Sequence, residues 1–332
     1  MASYIGRRLF YMVLMLIMLS FVAFAVIQLP PGDWIDNFLY YMERFGIELD
    51  ESAIEALNRR WGFRDPFYVQ YWKWISNIIF RGDFGESATH NRPVADLIGE
   101  RIMLSIILSL STMVVTYLIA IPIGIYSATH PYSVGDYSGT VFGFLGLATP
   151  NFLLALILMF LFQRYFGWSP GGLFSPEYLI APWSFAKVVD LMKHLPTPLL
   201  VIGTAGTAGM IRVLRTTLMD ELGRQYVVTA RAKGVGEGRL LFKYPIRLAI
   251  NPMVSGLAGL LAGVVSGEAL VSIVLSLPTV GPLLLTALLE QDLQIAASLI
   301  LFLGSLGLFG TLISDLLLVV VDPRIRFERQ AG

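Results

Sequence analysis

The chain has 332 residues, 55% hydrophobic and 14% charged, with zero formal net charge at pH 7 and a mean hydropathy of +0.68, which excludes a water-soluble globule and points to an integral membrane protein. Its basic residues are clustered rather than spread, so a nucleic-acid partner has no compositional support. The absence of cysteine excludes disulfides, thiolate metal sites and cysteine nucleophiles.

Counted against the roughly 20 residues needed to cross about 30 Å of hydrocarbon, the apolar runs predict an all-α fold with six membrane helices, at about 9–29, 102–128, 138–162, 197–218, 249–277 and 294–321. The first run contains Ala23-Phe24-Ala25, which mimics a signal-peptidase site. A cleaved signal has an apolar core of only about 7–15 residues, and this run continues past the would-be cut, so it is read as a retained helix. Orientation follows from Lys and Arg in the short connections. Arg7 and Arg8, the basic cluster at 212–247, and Arg324, Arg326 and Arg329 all fall on one side if both termini are cytoplasmic. The resulting organisation is a stub and first span at 1–29, an extracytoplasmic helical segment at 30–101, and a core at 102–332 that carries a cytoplasmic loop at about 219–248.

The outer segment is acidic, with twelve Asp/Glu against eight Lys/Arg between Gly32 and Arg101. Its first part reads as amphipathic helix. Next, PFYVQYWKWISNIIF places Phe67, Tyr71, Trp74, Ile75 and Ile78 on one helical face. That stripe fits a helix lying at the membrane interface or one docking a partner. A second outer connector, FGWSPGGLFSPEYL at 166–179, reads as a turn-rich loop that could also serve docking.

The acidic residues within the spans are Glu268 and Asp315, and charge is costly in hydrocarbon. Each either lines a translocation route or makes a structural bond to a neighbouring helix. Gly259, Gly263 and Gly267 recur one turn apart beside Glu268, with Gly256 just before, and small residues at that spacing mark a helix–helix seam.

Between the fourth and fifth spans lies TARAKGVGEGRLLFKYPIRLAINP, residues 229–252. From Arg212 to Arg247 the chain collects eight Lys/Arg and three acids. Tyr226 to Lys233 reads as a short helix with Arg231 and Lys233 exposed, stopped by Gly234 as a left-handed residue. A second helix is expected to start near Glu237 and run without a break into the fifth span. A loop that only held charge inside would not need Ala230, Ala232 and a glycine stop. Two short helices with a glycine elbow make a knob suited to a cleft on another protein.

Catalytic motifs are missing. There is no GxxxxGK[ST], HExxH or GxSxG, and His90, His130 and His194 are far apart in expected loops. The chain is therefore not read as an enzyme, and no cofactor or metal is assigned to it.

Tyr226, Thr229, Ala230, Arg231, Ala232, Lys233 and Gly234, followed by RLAINP at 247–252, resemble the coupling loop of binding-protein-dependent ABC importer permeases of the dipeptide, oligopeptide and nickel subfamily. RRL at 7–9, LPPGD at 29–33, DPFYVQY at 65–71, RGDFGES at 81–87, RPV at 92–94 and DPRIR at 322–326 resemble that subfamily's landmarks in order. EALV at 268–271 and PTVG at 278–281 depart from its usual pattern, as do the extra Gly236 and Gly238. The resemblance implies a type I ABC importer permease fold in a bacterial or archaeal cytoplasmic membrane. It implies as partners a second homologous permease, two ATPases that bind ATP and Mg, and a periplasmic or lipid-anchored substrate-binding protein. Peptides, nickel, opines and oligosaccharides all remain open as cargo. The alternatives are an ion-coupled transporter using Glu268 and Asp315, against which stands the lack of an evident inverted repeat or interrupted helix pair, and a membrane scaffold, which leaves the loop unexplained.

Overall fold

The computed structural model describes residues 2–28, 34–45, 50–61 and 65–321. LPPGD at 29–33 and DPRIR at 322–326 lie outside the described residues, as do the side chains at 258–268. The described helices are α1 (Ala2–Gln28), α2 (Trp34–Arg44), α3 (Glu51–Trp61), α4 (Phe67–Arg81), α5 (Val94–Thr129), α6 (Val134–Ala148), α7 (Asn151–Phe166), α8 (Phe185–His194), α9 (Pro196–Leu222), α10 (Gln225–Ala232), α11 (Glu237–Lys243), α12 (Pro245–Ala249), α13 (Asn251–Val274), α14 (Val280–Leu289) and α15 (Leu293–Val321). A two-residue antiparallel ladder, β1 (Glu86–Ser87) with β2 (Arg92–Pro93), precedes α5.

Four helices, α1, α5, α9 and α15, are individually long and apolar enough to cross a membrane among the described residues. The third expected span is not one straight helix. It is the pair α6–α7, bent by 100° at Thr149–Pro150. Proline offers no N–H to continue the ladder and pushes the residue before it out of the helical region, and Thr149 is extended at φ −94° and ψ 118°. The interrupted pair that was not evident in the sequence is therefore present. The stretch between α13 and α15 carries the short apolar helix α14.

Two compact units are present, Met1–Ser105 with Thr279–Leu308, and Ile106–Pro278 with Phe309–Gly332. In the first, the aromatic stripe of α4 is internal. Trp74 is buried with Phe24, Leu293 and Ala297, and Phe67, Tyr71, Ile75 and Ile78 pack around them. The periodicity located a covered face correctly, but α1 and α15 cover it rather than lipid or a partner. Tyr71 Oη and Ser20 Oγ share a hydrogen bond of 2.9 Å, and Gln28 Nε2 donates to Gln70 Oε1 at 2.7 Å.

The RGDFGES stretch has a structural purpose here. Gly82 and Gly85, at φ +63° and +84°, turn the chain, and Gly85 N–H donates to Asp83 Oδ1 at 2.8 Å. Ser87 Oγ then donates to the buried carboxylate of Asp292 at 2.5 Å. Asp292 Oδ1 in turn accepts from Ile295 N–H at 3.3 Å, capping the start of α15. A β-carbon on Gly85 would come within 3.0 Å of Gln294, so the turn sits directly against α15.

In the second unit, glycines on one face of α6 permit close packing. A β-carbon at Gly135 would meet Tyr126 at 2.4 Å, and at Gly146 it would meet Thr204 at 2.7 Å. The connector between α7 and α9 is strapped down by Gly172 N–H donating to Leu275 C=O at 2.7 Å. Within it Asp190, 7% exposed, accepts from both Ser175 N–H and Ser175 Oγ at 2.7 Å. Burial opposes charge on Asp190, yet the two Ser175 donors, with His194 and Lys193 nearby, hold its carboxyl below the usual range. A carboxyl depressed in the folded state contributes stability that is present above its unfolded pKa, near 3.9, and is lost as pH falls through the folded value. Limited proteolysis of 167–195 is therefore expected to accelerate only below about pH 4. Asp190→Asn should be cleaved faster at neutral pH and lose that acid dependence.

Candidate functional site

The knob between α9 and α13 is built from its sequence step by step. Gly223 ends α9, and α10 begins after Arg224. Val227 and Ala230 of α10 are buried against Leu240 of α11, with Val235 and Tyr244 packed at the edge. The turn between the helices is a Schellman motif. Val235 N–H donates to Ala230 C=O at 3.3 Å and Gly234 N–H to Arg231 C=O at 3.0 Å, with Gly234 at φ +77°. This is the left-handed residue the sequence anticipated.

The second helix departs from expectation. It breaks at Tyr244 (φ −117°, ψ −76°), where Pro245 starts α12, and α12 gives way to α13 after Ile250. Proline again explains the break, because it cannot donate into the preceding turn.

Arg231 is not a lone exposed cation. Its Nε and Nη2 donate to Glu237 Oε1 and Oε2 at 2.5 and 3.0 Å, closing a fork across the elbow. Hydrogen bonds from Arg231 hold the Glu237 carboxyl below its usual range. Tyr226 Oη donates to Glu221 Oε2, tying α10 back to the end of α9. Thr229 Oγ1 donates to Gln225 C=O at 2.8 Å. Ala232, Lys233 and Gly234 are exposed, as are Gly236 and Gly238.

Below the knob, Ile246 and Ala249 of α12 bury against Leu214 and Leu218 of α9 and Met253 of α13. Thr217 Oγ1 donates to Ala249 C=O at 3.0 Å. Two residues earlier on α9, Arg215 makes a bidentate pair with Asp136 at the start of α6, at 2.7 and 2.8 Å. Tyr132 N–H donates to the same carboxylate at 2.9 Å, and Asp136 is 2% exposed. The knob is thus joined by apolar packing to α9, and α9 by a buried ion pair to α6. Neither Asp136 nor Arg215 was singled out by the sequence, since they are 79 positions apart and carry no local signature.

Gly259, Gly263, Gly267 and Glu268 belong to α13, with side chains outside the described residues. Gly256 is described, and a β-carbon there would approach Met210 at 3.3 Å. Asp315 is half-buried on α15. His130 stacks on Tyr126, His90 Nδ1 lies 3.1 Å from Ser87 Oγ, and His194 Nδ1 lies 2.8 Å from Asp190 C=O. No cluster of metal-ligating side chains is present among the described residues.

The family model described as "Binding-protein-dependent transport system inner membrane component" matches residues 120–327, and the model of the corresponding N-terminal region matches residues 1–111. The chain is 33% identical to the oligopeptide transport system permease protein AppB of Bacillus subtilis, over 98% of this chain and all of that protein. It is 30% identical to the inner membrane ABC transporter permease protein YejB of Escherichia coli, over 99% of this chain and all of that one. It is 29% identical to the dipeptide transport system permease protein DppB of Alkalihalophilus pseudofirmus, over 98% of this chain and all of the relative.

Proposed function

This chain belongs to the family of binding-protein-dependent transport system inner membrane components, and from that premise we propose that it is one permease half of an ATP-driven importer of peptides in a cytoplasmic membrane. Relatives named for oligopeptide and dipeptide transport support peptides as cargo over nickel, opines or oligosaccharides. Family membership likewise supports the importer over an ion-coupled transporter. We place both termini and the α10–α11 knob on the cytoplasmic side of a six-span topology in which the α6–α7 pair counts as one crossing and α13 as another.

The observation that carries the mechanism is the knob's construction, a capped elbow with its own apolar core and a bidentate ion pair across its mouth. In the proposed complex a binding protein delivers the peptide from outside, a second permease completes the pathway, and two ATPases supply ATP and Mg below. ATP changes the pathway only through a contact that differs between the two helix arrangements. We assign that contact to Tyr226, Thr229, Ala230, Arg231, Ala232, Lys233 and Gly234, with force passing through α12 into α9 and α6. Gly259, Gly263, Gly267, Glu268 and Asp315 are retained as candidates for the pathway or its helix seams.

Purification from the native membrane is expected to recover two P-loop ATPases, a second permease and a substrate-binding protein. A cysteine introduced at Lys233 should crosslink to an ATPase and not to the binding protein. Recovery without any ATPase would overturn the reading. Because Arg231 is committed to Glu237, Arg231→Glu should damage the elbow itself, and the exchange Arg231→Glu with Glu237→Arg should restore transport towards wild type. If the exchange is no better than the single change, Arg231 acts on a partner instead.

A further inference from the structure

Helix α8 is built with its polarity reversed. Phe185, Val188, Val189 and Met192 fall at i, i+3, i+4 and i+7, the spacing of one helical face, and all four are exposed, Phe185 at 84% and Met192 at 63%. The opposite face carries Lys187, Asp190 and Leu191 inward. A helix whose outer face meets water shows the opposite arrangement, with its apolar stripe on the core.

The inward charges are accommodated by the chain itself. Lys187, 1% exposed, donates to Ala181 C=O at 2.8 Å and lies 4.9 and 5.1 Å from the rings of Phe174 and Trp183. Asp190 is held by Ser175, and Ser184 Oγ caps the helix by accepting from Lys187 N–H at 3.2 Å. Buried charges with partners are not a packing accident, since an unpartnered charge on that face would be expelled to solvent.

We propose that α8 is an interfacial helix whose Phe185–Val188–Val189–Met192 face lies in the lipid at the end of α9 opposite the knob. Lipid is favoured over a protein partner by continuity with a membrane-crossing element. Only Leu195 separates α8 from α9, a helix long and apolar enough to span, so the stripe sits where hydrocarbon meets headgroups. Just before the helix, Ile180 is almost fully exposed and Trp183 partly so, and an aromatic at that level is typical of membrane boundaries. The stripe itself offers no polar atom for a protein interface to bond. The exposed Lys193 at its edge suits a cation reaching to headgroups.

The test uses the chain's lack of cysteine. Phe185→Cys, Met192→Cys and the off-stripe references Ala186→Cys and Lys193→Cys are spin-labelled in the complex recovered from membranes and placed in lipid nanodiscs, with the signal of the labelled unmodified complex subtracted. Collision with oxygen, which concentrates in lipid, is compared with collision with a water-soluble nickel chelate. The oxygen-to-chelate ratio at 185 and 192 is expected to be severalfold above that at 186 and 193. Free access of the chelate at 185 and 192 would overturn the proposal by placing the stripe in water. Exclusion of both reagents would overturn it by placing a protein there. Neither result depends on whether an ATPase binds α10, so failure here is separable from failure of the importer reading.

Discussion

Gly234→Val is expected to abolish transport while leaving the chain inserted and paired in the membrane. A β-carbon there meets nothing within 4 Å, so the penalty is conformational and not steric crowding. At φ +77° an L-residue costs roughly 1–2 kcal/mol, and a β-branched one more. About 1.4 kcal/mol already reduces a docked population tenfold. The motif's two hydrogen bonds and the Arg231–Glu237 fork all depend on that dihedral. The membrane helices are held by lipid and by packing elsewhere and should not register the change. Measured in proteoliposomes, peptide uptake should fall by at least about tenfold with unchanged amounts of assembled permease. Gly234→Asn is the control, because asparagine tolerates the left-handed region. It should retain the elbow and most of the uptake. Wild-type uptake and ATPase association in Gly234→Val would remove the knob from the mechanism.

Arg215→Met is expected to be the most destabilising change in the second unit, costing about 3–5 kcal/mol, because it strands a buried carboxylate. Asp136 has a side chain only 3% exposed, whereas that of Arg215 is 26% exposed. The two halves of the pair are therefore unequal. Removing the acid by Asp136→Asn leaves a guanidinium that can reach water and should cost less, about 1–3 kcal/mol. The double substitution should be milder than Arg215→Met alone. Thermal unfolding of the purified protein in one detergent, read for all three variants, checks the order. Equal losses from both single substitutions would overturn the inequality drawn from the two exposures.

Much of the knob was legible in its residues because the signals are local. Gly234 after a helix-forming run predicts a left-handed stop, and only hydrogen bonds within six residues are needed to complete it. The long apolar runs gave α9, α13 and α15 within a few residues of their ends, since hydrocarbon thickness sets a minimum length, whereas α1 and α5 begin about two turns before their apolar runs, at Ala2 and Val94. The break at Pro150 escaped because hydropathy is averaged over a window and is blind to one dihedral, although Thr-Pro-Asn at 149–151 is a turn signal. The α4 stripe shows a different limit. Periodicity reports that a face is covered, and the covering surface comes from α1 and α15, far away in sequence. Arg231 was read as an outward charge because Glu237 lies six positions on, across a turn where no helix-spacing rule applies. Asp136 with Arg215, and Ser87 with Asp292, are long-range pairs that only the folded chain brings together.

The bend at Pro150 also bears on the topology we propose. In that topology Arg7, Arg8 and the basic knob share a side, which requires an even number of crossings between them. With α1, α5 and α9 as three crossings, that topology requires the α6–α7 pair to supply one more. Helices of 15 and 16 residues are each roughly 23 Å long and individually too short for about 30 Å of hydrocarbon. Joined at a 100° bend, their far ends lie roughly 30 Å apart, enough to reach from one face to the other as an elbowed strut. A straightened pair would be half as long again as the hydrocarbon is thick, and one folded back on itself would not complete the crossing that topology requires. In that topology a single proline sets how deep one crossing reaches.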